Sequence, residues 1–378
     1  MQTGVVHLYV HVPFCDGACR YCAFYSERFD AAPADRYLDA LTHEFHEAGN
    51  RGLLPKVPRT LYIGGGTPSV LDIHQLDRLC RLFTDRFHIT RETEWTVETN
   101  PGSLTRDKAV LLQQAGVNRV SLGVQSFSDP VLRQLGRRHT VRQVYDSIAD
   151  IRAAGIPSLN LDLIAAVPGI DAAAWRRHLD HAIALVPDHL SVYDLTVEPG
   201  TPLARAAHTG KWQAATVDTE LRRIHTAALR LAGAGYHRYE ISNYARPGQR
   251  CRHNLAFWQG GDYLGFGPAA ASRVGLDRWT NRPSVKSYCT PWKSDLPPRR
   301  FETLSTETDA SERLAFAFRL LDGITLRPFL DRAPGHRARW MKALNTLRKD
   351  GLVSRQGPRW KLTDAGIRLA DTVASALL

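Results

Sequence analysis

A chain of 378 residues, at roughly 100–200 residues per domain, has room for one large domain and a smaller one. Its 43% hydrophobic and 23% charged composition is that of a globular protein with a full core, and six cysteines are too few for a disulfide-built scaffold. The 49 basic and 38 acidic residues leave a net charge of +11, which fits an anionic partner and fits plain compositional bias equally well.

No basic stretch precedes the apolar N-terminal residues, so no signal peptide is expected. The longest apolar run, 159–170, is broken by Asn160 and Asp162 and is too short to span a membrane. Both features point to the cytoplasm. Short apolar or β-branched runs at 8–12, 60–63, 94–98, 119–124, 159–163 and 190–195 predict strands, each followed by Gly, Pro, Asn or Ser. Helical periodicity follows each strand, at 34–48, 73–87, 105–115, 141–154, 172–185 and 217–232. Six βα units predict a parallel sheet with its functional loops after the strand C-termini, and six are too few for a closed eight-stranded barrel. The fold class expected is therefore α/β, a partial (β/α)6 barrel over 1–235.

After 235 the rhythm changes. Residues 236–300, rich in Gly, Pro, Asn and aromatics, read as an irregular covering segment. Residues 301–378 read as helix, helix, strand, turn, strand, helix, a winged-helix-like domain. The span 331–361 carries nine Lys/Arg against two Asp, yet no base-reading signal accompanies them, so nucleic acid is disfavoured as a partner.

The chemistry concentrates in the first βα loop, where Cys15, Cys19 and Cys22 lie within eight residues. Structural zinc prefers four ligands in paired sets, no second pair exists, and His11 would give an unusual spacing. An iron–sulfur cluster suits three thiolates better, and three ligands on a four-iron cubane leave one iron open. After the second strand, Gly64-Gly65-Gly66-Thr67-Pro68 offers a backbone that a ligand can approach closely.

This arrangement resembles the radical S-adenosylmethionine superfamily. The resemblance implies a [4Fe–4S] cluster whose fourth iron chelates S-adenosylmethionine, with the glycine loop holding the methionine amino group. Over 5–275 the chain further resembles the HemN family. Tyr9, Glu98 in Val97-Glu98-Thr99-Asn100-Pro101, Gln125 in Gly123-Val124-Gln125-Ser126-Phe127, Arg137 and Asp162 carry that likeness. It implies that Tyr9, Gly65 and Glu98 contact the cluster-bound S-adenosylmethionine. Tyr21, Gly66, Thr67, Gln125, Arg137, Asp162 and Thr196 would contact a second one. Taken singly, each also reads as an ordinary strand-end or surface residue.

Two features separate the chain from the oxidase of that family. Phe24 stands where the oxidase has a fourth cysteine, and the first cysteine is already at position 15, where the oxidase has an N-terminal extension. Cys251-Arg252-His253-Asn254-Leu255-Ala256-Phe257-Trp258 nearly repeats the HNxxYW sequence of HemW, the heme-chaperone branch of the family. That likeness implies heme as a ligand, an electron donor for the cluster, and a heme-acceptor protein, respiratory or membrane-associated. His253 is the candidate axial ligand, with Cys251 the alternative and Arg246, Arg250 and Arg252 available to the propionates. The segment is expected to close over the cluster side of the barrel; a purely structural role for His253 stays open. Ala271, where many relatives have histidine before serine, departs from the pattern. The competing reading is a radical enzyme acting on a porphyrinogen, or a related methyltransferase or cyclopropanase.

Overall fold

The structure, a computed structural model, describes residues 4–292 and 295–378. All six predicted parallel strands form: β1 His7–Val12, β2 Thr60–Gly65, β3 Glu94–Thr99, β4 Arg119–Gln125, β5 Ser158–Ala165 and β6 His189–Asp194. The helices between them start where the sequence provides caps. Asp72 and Gln75 form a capping box before Ile73–Thr84, and Thr140 and Gln143 form another before Val141–Ala153. Gly116, at φ +102°, ends Arg106–Ala115 in the left-handed region.

The strands alternate along their length in a way that parallel sheets covered on both faces do not. In β4, Val120, Leu122 and Val124 are buried apolar residues, while Arg119, Ser121 and Gly123 take the other face. In β5, Leu159, Leu161 and Leu163 alternate with Ser158, Asn160 and Asp162. Period-two side-chain placement thus puts an apolar set against the helices and a polar set inside the curve of the sheet. The lumen is largely polar, and that is where ligands can be held.

Residues 236–300 are more regular than their composition indicates. They supply β7 His237–Arg238, β8 Asn243–Ala245, β9 Tyr263–Phe266, β10 Ala271–Val274 and β11 Asp277–Asn281, and β12 Arg299–Thr303 straddles the expected boundary at 301. The twelve strands make one sheet in the order β12-β11-β10-β9-β1-β2-β3-β4-β5-β6-β8-β7. β9 pairs with β1 in parallel, so β1 never meets β6 and the barrel stays open. Glu44, buried on helix Ala31–Asn50, fastens this added edge. Its carboxylate accepts from Gly267 N at 2.9 Å, Asn281 Nδ2 at 2.7 Å and the Tyr288 hydroxyl at 2.5 Å.

The C-terminal domain has its own core around Trp340 and Trp360. Helices Thr306–Ala317 and Arg337–Lys349 pack with a small sheet in which Arg359–Leu362 lies between Ile324–Thr325 and Val353–Gln356, a winged-helix topology. Asp309, fully buried, joins it to the main sheet by accepting from Arg273 of β10 and, at 2.9 Å through both oxygens, from Arg313.

Candidate active site

The cysteine loop leaves β1 and is held in place before any ligand is considered. Phe14–Cys15 pairs in parallel with Glu27–Arg28, and Arg20 N donates to Leu135 O at 3.0 Å. Cys15, Cys19 and Cys22 are free, partly exposed thiols on this loop. Burial raises the Cys15 and Cys22 thiols above the ordinary range, so binding a cluster there displaces protons.

The glycine loop is glycine because the cysteine loop sits on it. A Cβ on Gly66 would lie 2.5 Å from Phe14 O, and one on Gly65, at φ +102°, would lie 2.5 Å from the His11 ring. Gly66 N donates to Val12 O at 2.8 Å and Thr67 N to Phe14 O at 2.7 Å, which brings Thr67 Oγ1 within 3.4 Å of Cys15 Sγ. On the opposite side Arg137 Nη1 donates to Cys19 Sγ at 3.4 Å, and its Nη2 donates to Asn100 Oδ1 at 2.5 Å and Gly123 O at 2.9 Å. Tyr21 lies half-buried beside Arg137, and loss of solvent pushes its hydroxyl pKa above the usual range, against the pull of the guanidinium.

Below this rim the lumen holds carboxylates. Glu98 accepts from the Tyr62 hydroxyl at 2.7 Å and from Gly65 N at 3.2 Å; burial pushes its pKa up to about 7, with the nearby Asp162 adding to the effect. Asp162 accepts from Ser121 Oγ at 3.0 Å and Asn160 Nδ2 at 2.8 Å, and burial raises it too. Two half-buried carboxylates held by neutral donors are ready partners for an ammonium, a sulfonium or ribose hydroxyls. Tyr9 reaches into the same lumen, its hydroxyl 3.1 Å from His11 Nδ1. Gln125 ends β4 at φ +65°, a left-handed conformation that a non-glycine residue adopts at a cost and that functional sites often retain. Thr196 lies exposed just past the end of β6, at the mouth.

His253 is elsewhere. Helix Arg252–Trp258 caps the starts of the strands, the end away from the cysteine loop, so the expectation that this segment closes over the cluster is corrected. Glu94, the first residue of β3, accepts from Arg252 N at 2.8 Å and His253 N at 2.9 Å, which fixes the helix N-terminus there. His253 is 3% exposed, stacks on Tyr62 with ring centroids 4.8 Å apart, and is pulled down to about 3 by burial. Cys251 is equally enclosed, its thiol pushed up to about 12 by burial and by Glu94. The structure brings Cys15, Cys19, Cys22, Tyr9, Tyr21, Gly65, Gly66, Thr67, Glu98, Gln125, Arg137 and Asp162 to one end and the lumen behind it, and leaves His253 at the base.

Sequence reasoning passed over Asn100 and Tyr62 and weighed His11 only as a zinc ligand. Each had a signal: Asn100 follows β3 as Thr67 follows β2, and Tyr62 and His11 occupy lumen-facing positions in the alternation.

The donor set fits an iron–sulfur cluster. Among the described residues no three His, Cys, Asp or Glu side chains converge tightly enough to chelate a single ion. A polynuclear cluster spreads its thiolates further apart, and the hydroxyl and guanidinium beside Cys15 and Cys19 are the donors that cluster sulfurs accept from. Comparison with known proteins agrees. Residues 9–182 match the radical SAM superfamily, and residues 304–369, beginning just past β12, match the HemN C-terminal domain. The chain is 36% identical over 375 residues to heme chaperone HemW of Mycobacterium tuberculosis, covering 98% of this chain and 94% of that one. The chain belongs to the HemW family. To heme chaperone HemW of Bacillus subtilis it is 31% identical over 373 residues, 98% of each chain. The solved structure of coproporphyrinogen III oxidase (HemN) from Escherichia coli is similar, with a TM-score of 0.85 and 25% identity over 100% of this chain and 91% of that one.

Proposed function

We infer that the protein is a heme chaperone: it carries a [4Fe–4S] cluster on Cys15, Cys19 and Cys22, binds S-adenosylmethionine in the barrel lumen, and delivers heme to an acceptor protein. The full-length identity with HemW proteins carries this reading. The three free thiols of one loop, facing a lumen with two neutral-held carboxylates, support its cofactor part. In this reading Tyr9, Gly65 and Glu98 face the S-adenosylmethionine on the open iron. Tyr21, Gly66, Thr67, Gln125, Arg137, Asp162 and Thr196 line the place for a second. Bound there, S-adenosylmethionine and the cluster supply one-electron chemistry; the chain itself supplies the carboxylates for the amine and riboses and the closed loop that keeps the thiols together. Among the described residues no helix is long and apolar enough to cross a membrane, so a membrane acceptor would be met at its surface. The cytoplasm is the compartment this reading places the protein in.

Likeness to HemN keeps porphyrinogen oxidation as the second reading. Phe24, 74% exposed beside Cys22, stands where that oxidase has its fourth cysteine. Anaerobically reconstituted protein titrated with hemin should develop a stoichiometric Soret band and pass the heme to an apo-heme protein, while coproporphyrinogen III stays unchanged. Conversion of coproporphyrinogen III without heme uptake would reverse the assignment.

A further inference from the structure

Three side chains join Cys15 to Cys19 in a single hydrogen-bonded path, and its centre is a residue with no assigned role. Asn100 Oδ1 accepts from Arg137 Nη2 at 2.5 Å and Asn100 Nδ2 donates to Thr67 Oγ1 at 2.8 Å. Thr67 Oγ1 lies 3.4 Å from Cys15 Sγ, and Arg137 Nη1 donates to Cys19 Sγ at 3.4 Å. The orientation of the amide follows from its neighbours. Arginine has only donors, so the oxygen of Asn100 must face Arg137 and the nitrogen must face Thr67. The Thr67 oxygen is then occupied as an acceptor, which leaves its hydrogen free to point at Cys15. Asn100 itself is held by its backbone, Asn100 N donating to Ser69 Oγ at 3.2 Å, so both arms start from a fixed point.

We propose that Asn100 is a positioning residue that aims the Thr67 hydroxyl and the Arg137 guanidinium at two of the three cluster thiolates and thereby sets the reduction potential of the cluster. The proposal rests on the cluster assignment above and deepens it. Hydrogen bonds and positive charge at the sulfurs favour the reduced, more negative cluster, so they raise its potential. A Cβ on Gly123 would lie 2.7 Å from Asn100 Oδ1 and 3.1 Å from Arg137 Nη2, so the glycine keeps the space that the clamp needs. Asn100 touches neither thiolate; it acts through its two neighbours.

The test is a redox titration of the reconstituted full chain followed by electron paramagnetic resonance. Asn100→Ala should lower the midpoint potential and alter the g-values while iron content and melting temperature stay near wild type. Asn100→Asp keeps the acceptor for Arg137, loses the donor to Thr67 and adds negative charge; it too should lower the potential, and being isosteric it carries the test if Asn100→Ala fails to assemble. Added to Arg137→Ala, Asn100→Ala should shift the potential by less than it does alone, because one arm is already gone. Unchanged potential and g-values in both Asn100 variants, or full additivity with Arg137→Ala, would overturn the proposal. Wild-type protein that takes up no iron would instead sink the cluster assignment itself, so the two failures are distinct.

Discussion

Thr60 Oγ1 and His253 Nδ1 meet at 2.7 Å across 193 residues of chain, at the first residue of β2. Five residues further along the same strand is Gly65, against the cysteine loop; at about 3.3 Å per residue that is ~16 Å away. His253 therefore plugs the base of the barrel rather than facing the cluster. His253→Ala removes a buried, stacked ring and should cost about 3 kcal/mol of stability, seen as an earlier denaturant midpoint. The Soret band of the heme complex and the iron content should stay as in wild type. A lost or shifted Soret band at unchanged stability would restore His253 as the heme ligand.

Replacing Cys15, Cys19 or Cys22 by Ala should each abolish iron uptake and the visible charge-transfer absorption after anaerobic reconstitution. Cys80, buried on helix Ile73–Thr84, is the control whose replacement by Ala leaves iron content intact. Stoichiometric zinc and no iron in the wild type would contradict the cluster.

Asp162 is a carboxylate whose charge the fold disfavours, since burial raises its pKa. Asp162→Asn removes that charge but keeps the shape, so the apoprotein should unfold no earlier than wild type at pH 8. Affinity for S-adenosylmethionine, measured by calorimetry on the reconstituted protein, should drop at least about tenfold, the equivalent of 1.4 kcal/mol. A large fall in melting temperature with unchanged affinity would make Asp162 a structural residue.

Glu44 predicts a pH dependence. Burial pushes its carboxyl from 4.5 up to about 7 in the folded chain. The native state thus holds a proton that the unfolded state has released between those values. Stability contributed by Glu44 is fully present below about pH 4.5 and is lost as pH rises towards 7, by on the order of 3 kcal/mol. Denaturant unfolding of the apoprotein should show that decline across this window, and Glu44→Gln should flatten it. An identical slope in the variant would place the titration elsewhere.

Strand order and loop chemistry were legible because local pattern carries them. Apolar and β-branched runs, helical periodicity and the glycines after β2 each act over a few residues, and the cysteine spacing needs only one loop. The position of residues 236–300 was not legible. Their strands are short, and β9 finds β1 through residues more than 250 positions apart in the sequence, which composition does not encode. The aromatic and basic residues near His253 suggested a porphyrin site by type; the burial of His253 against Glu94, Thr60 and Tyr62 appears only when the chain is folded.

The sequence by itself determined the thiol donor set, the six βα units and the polar faces of the strands, because these depend on residue types at fixed short spacings. Only the tertiary structure decided which end of the barrel each distant segment caps, and which side chains meet around the cysteines. Thr67, Asn100 and Arg137 come from three different βα loops, and nothing in their spacing requires them to touch. Parallel pairing in register brings those loops to one rim of the sheet, and there the hydrogen-bonding rules for hydroxyl, amide and guanidinium fix how they join.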